Sequence, residues 1–328
     1  MNYVGIDISK IDFWASSGGS TKLFTQDEKG FKAYCKWLEK LGRAGAVSVM
    51  EATGVYHLRF ATFLLGKGQP VDVVNPQRPY HHGRSQMARV VNDASAARNI
   101  EDFASKNALK GVWAPMPEVV ERLRWWLAQA DKKSAEITRL RNQIGSLEMR
   151  PSDTSDRIEF MEGQIAQQQA WLKECEKEAE AIAAEYYPEE RKLFKSIPGV
   201  GVKTSLALVG FFCSHYEISN PKQALVLAGL SLRRHNSGTS VNKNPRITKM
   251  GYGHLRKCLY MAALTAVKVN PACKEFYEKL VGLGKKKKVA LIAVASKLLR
   301  QAFGVWKSGI SFSVEKSKEN FDKKMAMS

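Results

Sequence analysis

The sequence predicts an α/β domain with a mixed sheet at the N-terminus, two long helices behind it, and a mainly α-helical, basic C-terminal segment. Three observations carry that prediction. Short β-branched runs alternate with helix-spaced apolar residues as far as Pro76. From Val119 to about Glu185, apolar residues recur every third or fourth position amid Glu, Gln and Lys. At Pro188 the composition changes again, to apolar stretches interrupted by Lys and Arg.

NYVGIDI opens the chain as a buried-type strand, and DFWAS and KLFTQ continue it as an antiparallel meander. GFKAYCKWLEKL then sets Phe31, Tyr34, Leu38 and Leu41 near helical spacing. AVSVMEA is a second strand, Tyr56 to Leu65 a helix ending at Gly66, and PVDVVNP a third strand stopped by Pro76. Asp93 begins another helical stretch. Leu123, Trp126, Leu127, Ala130, Ile137, Leu140, Ile144 and Leu147 mark the first long helix. After a break at Pro151, Ile158, Met161, Ile165 and Leu172 mark the second. These two helices form a hairpin, pair with another chain as a coiled coil, or simply lie on their own domain. FKSIPGVGVKTSLALVGFF places a tight Pro-Gly-x-Gly turn between helices. His81 and His82 are assigned to a loop, and Trp113, Trp125, Trp126 and Trp306 to packing.

The 328 residues suffice for two domains, each with a core. Charge is the unusual property: 51 Lys and Arg against 32 Asp and Glu leave a formal +19. Such an excess attracts nucleic acid or an anionic membrane surface. It is concentrated between Val241 and Lys307, where fifteen basic residues face two acids, Glu275 and Glu278. No apolar run reaches the ~18 residues that cross a bilayer, and no signal peptide opens the chain, so nucleic acid is favoured over membrane. Five cysteines without CxxC spacing point to reduced thiols inside a cell, and the histidines show no zinc spacing.

Three acids stand out: Asp7 after Val4-Gly5-Ile6, Glu51 at the end of a strand, and Asp93 at a helix start. Carboxylates set by distant elements suit Mg²⁺, or Mn²⁺ in its place, which orients phosphate oxygens and activates a nucleophile. Solvated acids at element ends are the plainer alternative. A nucleotide site of the actin type is disfavoured, because bulky Ile8 and Lys10 follow Asp7 and no phosphate loop is present. Downstream, Arg233-Arg234-His235-Asn236-Ser237-Gly238-Thr239-Ser240 is either a surface turn or a serine beside a phosphate clamp. The turn at Gly199 and Gly201, followed by Lys203, is similar to a helix-hairpin-helix, whose amides hold a DNA phosphate; a plain helical connection is the alternative. Lys249, His254, Arg256 and Lys257 lie on a helix whose basic face is expected toward nucleic acid. Lys285 to Lys288 is read as a solvated loop or, beside that helix, as a contact to the nucleic-acid backbone.

GIDISK, EATGVYH, VVNP, NDASAAR, SIPGVGVKTS, LAGLSLRRHNSGTS and ITKMGYGHLRKCLYMAA occur in the order seen in the IS110 family of transposases, which includes the Piv-type DNA invertases. The chain resembles that family from Tyr3 to about Gly309. The resemblance implies a RuvC-like, ribonuclease-H-like N-terminal domain carrying an Asp-Glu-Asp-Asp metal set. Asp7, Glu51 and Asp93 match its first three acids, and Ala96 stands where the fourth is expected. Either natural divergence or a deliberate Asp-to-Ala change accounts for Ala96. Ser95 is a poor ligand for a hard dication, and Glu101 and Asp102 lie too far along the helix to replace the missing acid.

The same resemblance singles out Ser237 over Thr239 and Ser240 as the nucleophile that joins DNA through a phosphoserine, with a metal domain from another subunit. It further implies DNA substrates, a structured noncoding bridge RNA as guide, a homo-oligomer (dimer or tetramer), no membrane, and a place at the bacterial nucleoid in the cytoplasm. The expected layout is a metal domain over 1–115, a hairpin or coiled-coil linker over 116–190, a C-terminal domain over 191–310 and a basic tail over 311–328. A Piv-type invertase, an inactive nucleic-acid-binding relative, and a nuclease that uses water are the alternatives to a transposase.

Overall fold

A computed structural model describes residues 2–86, 92–215, 217–237 and 241–313, with 234–237 and 241–245 by backbone alone. Two compact units emerge, Met1–Pro115 and Met116–Ser328. The predicted basic tail lies almost wholly outside the described residues.

Unit 1 runs β1 (Tyr3–Ile8), β2 (Asp12–Ser17), β3 (Ser20–Thr25), α1 (Glu28–Lys40), β4 (Val47–Glu51), α2 (Tyr56–Gly66), β5 (Val71–Val74), α3 (Gln77–Ser85) and α4 (Asp93–Lys106). The five strands form one mixed sheet in the order β3-β2-β1-β4-β5. β1, β2 and β3 are the expected antiparallel meander, whereas β4 pairs parallel to β1 and to β5. This mixed sheet is consistent with a RuvC-like N-terminal domain. One face packs Val4, Ile6, Ile8, Phe13 and Met50 against Phe31, Tyr34, Leu38 and Phe60 of α1 and α2. The Tyr34 hydroxyl lies 2.7 Å from the hydroxyl of buried Ser48, so the ring enters the core without an orphaned polar atom. The other face packs Tyr3, Val47, Val49 and Val74 against Ile100, Phe103 and Ala104 of α4.

Two local expectations are corrected here. His81 and His82 lie within α3, because Pro76 opens a helix that the His82–Asp102 contact at 2.7 Å ties to α4. Trp113 packs on the core of unit 1 as expected, but Trp125 is 54% exposed on its helix while neighbouring Trp126 turns inward.

Unit 2 contains α5 (Glu118–Glu148), α6 (Ser155–Tyr186), α7 (Pro188–Lys195), α8 (Val202–Phe212), α9 (Pro221–Leu227), β6 (Leu232–Ser237), β7 (Val241–Ile247), α10 (Gly253–Val269), α11 (Pro271–Gly282) and α12 (Lys287–Ser308). The long helices α5 and α6 pack on each other, and one core gathers Leu123, Leu127, Ala179 and Ile182 with α7, α8, α10 and α12. Asn220 and Asn270 cap α9 and α11, each followed by Pro at the first helical position. Lys287 and Lys288 of the basic run belong to α12, not to a loop. Contrary to expectation, α12 is long and apolar enough by composition to cross a membrane, since only scattered Lys and Arg interrupt it. Ala290, Val294, Ala295, Leu298, Leu299 and Ala302 instead bury one face of it in the core of unit 2.

Candidate active site

Strand parity places the first two acids. Successive side chains of a strand face opposite ways. Because Val4, Ile6 and Met50 point to one core, Tyr3, Gly5, Asp7, Val49 and Glu51 point to the α4 face. Gly5 pairs with Val49 and Ile6 with Met50, so one further step of that register sets Asp7 beside Glu51 at the carboxyl ends of β1 and β4. α4 supplies the third acid. Its backbone touches β1 so closely that a Cβ on Gly5 would stand 2.0 Å from the Ala97 carbonyl oxygen. Asn92 caps the helix by accepting from the Ser95 N–H, and the Ser95 hydroxyl accepts from the Asn92 N–H in return. Asp93 is therefore the first helical residue, with its side chain exposed.

The acids sense one another. Burial, then the charge of Asp93, raises the Asp7 carboxyl above its ordinary range. Burial, then the charge of Asp7, pushes Glu51 up to about 7. Negative charge thus accumulates where β1, β4 and the start of α4 meet. Hard oxygen donors in an electron-rich site fit a divalent cation in kind. Among the described residues, however, no three acid, histidine or cysteine side chains are close enough to hold one ion together.

Ala96 follows Asp93 within the first turn of α4, half-buried, and contributes only a methyl group. Neither nearby acid compensates. Glu101 accepts from the Ser16 hydroxyl at 2.7 Å and the Gly18 N–H at 2.6 Å, which clamps α4 to the end of β2. Asp102 is held by His82 and by Lys106 at 2.9 Å. His57, which sequence reasoning did not weigh as a site residue, is buried on α2 beside Trp113, and its Nδ1 has no partner among the described residues. Burial lowers its pKa, so the ring is held neutral.

Ser237 lies in unit 2, as the last residue of β6 opposite Val241; Gly238, Thr239 and Ser240 lie outside the described residues. The serine motif is therefore the arm of a β-hairpin, an element that the Ser/Gly composition had hidden. Arg233 is exposed on β6, paired through the backbone with Arg246, and Arg234 follows it.

The root of the hairpin is tightly built. The Lys249 N–H donates to Gly229 O at 3.0 Å and the Tyr252 N–H to Leu227 O at 3.2 Å. A Cβ on Gly251 (φ 133°) would stand 2.0 Å from that Leu227 oxygen. Lys249, expected on the helix, precedes α10 and adopts φ 58°, a left-handed conformation costing about 1–2 kcal/mol that this crossing holds in place. From the first turn of α10, the Arg256 guanidinium donates to Ala228 O at 2.9 Å.

The remaining basic positions serve packing contacts. Lys257 pairs with Asp131 of α5 at 2.7 Å, and Lys203 with Glu176 of α6 at 2.6 Å. Gly199 (φ 96°) lets the α7–α8 turn approach α10, since a Cβ there would meet Ala266 Cα at 2.7 Å. Gly201 precedes α8 with open space around its Cα.

Residues 4–147 match an IS110-type family described as "Transposase", and residues 191–278 match the family described as "Transposase IS116/IS110/IS902 family". The chain belongs to the IS110 family of transposases, a class of DNA-recombining enzymes. It is similar over 334 residues, at 27% identity and 98% of both chains, to the "Pilin gene-inverting protein" of Moraxella bovis. The protein of the same description from Moraxella lacunata matches equally, at 27% identity over 98% of both chains. A shorter stretch of 114 residues, 35% of this chain and 28% of its relative, is 25% identical to an "Insertion element IS110 uncharacterized 43.6 kDa protein" of Streptomyces coelicolor.

Proposed function

We propose that this chain cuts and rejoins DNA as an IS110-type transposase, with Ser237 as nucleophile and a divalent cation held by Asp7, Glu51 and Asp93. The observation that carries the proposal is the placing of Asp7 and Glu51 side by side on the sheet face that meets the start of α4, where Asp93 lies, with the Asp7 and Glu51 carboxyls raised first by burial, in a chain of this family. Ser237 Oγ attacks phosphorus, an O–P bond forms, the bond to a deoxyribose oxygen breaks, and the serine proton passes through solvent to that departing oxygen. Mg²⁺, when bound, supplies a Lewis acid that orients phosphate oxygens and eases loss of the serine proton. Arg233 and Arg234, on the same strand as the serine, clamp the phosphate. The acid set that serves each Ser237 comes from another subunit of a dimer or tetramer. Lys249, Arg256 and Lys257, with the Gly199–Gly201 turn and Lys203, hold the nucleic-acid backbone near their packing contacts. A noncoding bridge RNA guides the choice of DNA, consistent with a charge of +19.

Ala96 weakens this copy. Outer-shell partners change metal affinity or activity by roughly 10–100-fold, so loss of a direct ligand costs at least as much. Ala96→Asp should therefore raise Mg²⁺-dependent strand cleavage by at least about tenfold. Equal cleavage by both chains would refute the assignment of position 96. Ser237→Ala in the Ala96→Asp background should abolish the protein–DNA adduct, and an adduct that survives excludes Ser237 as nucleophile. Tight DNA binding without adducts even after Asp is restored favours a non-catalytic role. Free ends indifferent to Ser237 favour hydrolysis by water.

A second reading has its own support: the relatives matched over 98% of their length are described as gene-inverting proteins. On that reading the chain inverts a fixed locus instead of moving an element. Sequencing the nucleic acid that co-purifies with the protein, with and without RNase, separates the two: a discrete RNA favours the guided transposase.

A further inference from the structure

Away from the acids and the hairpin, α10 and α5 bring a thiol, an imidazole and a carboxylate into line. Cys258 and His254 lie four residues apart on α10, hence on one face, with Sγ 3.6 Å from Nε2. The other ring nitrogen, Nδ1, is 2.5 Å from Asp131 Oδ2 on α5. Asp131 accepts at its second oxygen from Lys257 at 2.7 Å, which fixes the carboxylate in turn. We propose that Cys258, His254 and Asp131 form a second nucleophilic site, at which the Cys258 sulfur reacts with small disulfides.

Each part has a definable role. Asp131 orients the ring so that Nε2 faces sulfur, the arrangement by which a carboxylate directs an imidazole. Burial opposes charge on His254, but its contacts with Asp131 and Cys258 outweigh that and push the ring up to about 9. Burial alone would raise Asp131, yet hydrogen bonds from His254 and Lys257 hold it down at about 2. At neutral pH the array therefore holds an imidazolium with Nε2 3.6 Å from the Cys258 sulfur.

Cys175, Cys213 and Cys273 are buried, and burial raises the thiols of Cys35 and Cys175 and pushes Cys273 up to about 11. Cys258, like Cys35, is half-exposed, and it lies at the edge of the core of unit 2. In the reaction the Cys258 sulfur attacks one sulfur of the disulfide, a new S–S bond forms and the old one breaks. Cys258 is oxidised to a mixed disulfide, and the departing thiolate is reduced and takes its proton from solvent. The added group then lies where α10 meets α5, beside the His254–Asp131 contact.

The test uses the reduced full-length chain and a limiting amount of an aromatic disulfide, dithiobisnitrobenzoate, with the adduct located by peptide mass mapping. The adduct is expected first on Cys258, roughly tenfold ahead of any other cysteine. Asp131→Asn and His254→Gln should slow that reaction by about tenfold with an unchanged circular-dichroism spectrum. Cys258→Ser should remove the fast phase. A first adduct on another cysteine overturns the proposal, as does an unchanged Cys258 rate in both folded variants. Should a variant misfold, iodoacetamide competition on the native wild type decides: preferential labelling of Cys258 supports the site, and even labelling of the five cysteines overturns it.

Discussion

Glu51→Gln should stabilise the metal-free protein at alkaline pH and leave it unchanged in acid. The Glu51 carboxyl, with an ordinary value of 4.5, is pushed up to about 7 in the folded chain, first by burial and then by the charge of Asp7. A carboxyl that holds its proton more tightly when folded contributes stability in full below pH 4.5, and that contribution is lost as pH rises through about 7. At 1.36 kcal/mol per tenfold the rise corresponds to about 3 kcal/mol, and solvent screening of a half-exposed side chain reduces this to about 1–2 kcal/mol. Glutamine removes the charge and keeps the shape. Thermal unfolding in EDTA, followed by circular dichroism at about pH 8, should show the unit 1 transition raised by about 4–8 °C per kcal/mol. At about pH 4.5 the two proteins should melt together. Millimolar Mg²⁺ should narrow the gap at alkaline pH by neutralising the wild-type carboxylates. A variant less stable than wild type at alkaline pH, or a gain independent of pH, would refute the view that Glu51 carries uncompensated charge.

Other perturbations probe the scaffold. Gly5→Ala should cost about 3 kcal/mol or more in urea denaturation, since its Cβ would fall 2.0 Å from a backbone oxygen of α4 and force the helix off the sheet. Gly251→Ala, whose Cβ would meet Leu227 O at 2.0 Å, should leave unit 1 intact while lowering DNA adduct formation roughly tenfold or more, read on a gel in the Ala96→Asp background. Asp131→Asn should lower stability by about 1–2 kcal/mol at neutral pH. That loss should shrink as pH rises through about 9, where His254 gives up the charge that Asp131 stabilises.

Much of unit 1 was legible because its signals are local. Alternation of β-branched residues marked β1, β4 and β5, and the proline and glycine punctuation marked their ends. Helix spacing likewise exposed α5 and α6. Elsewhere local signals misled. Pro79, His81 and His82 suggest a loop, yet the segment is the helix α3, held by a contact to Asp102 twenty residues away. The Ser/Gly composition around Ser237 concealed a hairpin whose pairing depends on the crossing at Gly229 and Gly251. Arg256 and Lys257 were read by charge alone, but Ala228 O and Asp131 occupy them in the fold.

By itself the sequence determined the chemical kinds present: three hard acids, an alanine in place of a fourth, a serine just after two arginines, and an excess of positive charge. Only the tertiary structure decided which of them interact. Asp7 and Glu51 share a face because the parallel register of β1 and β4 keeps their parity, and Asp93 joins them because Gly5 admits α4 against β1. Asp131 and Cys258 were unremarkable as letters and His254 was read only as part of a basic helix face, since long-range packing of α5 on α10 creates their alignment. Local propensity is written residue by residue, whereas a site depends on the distances between elements, and those are set by packing.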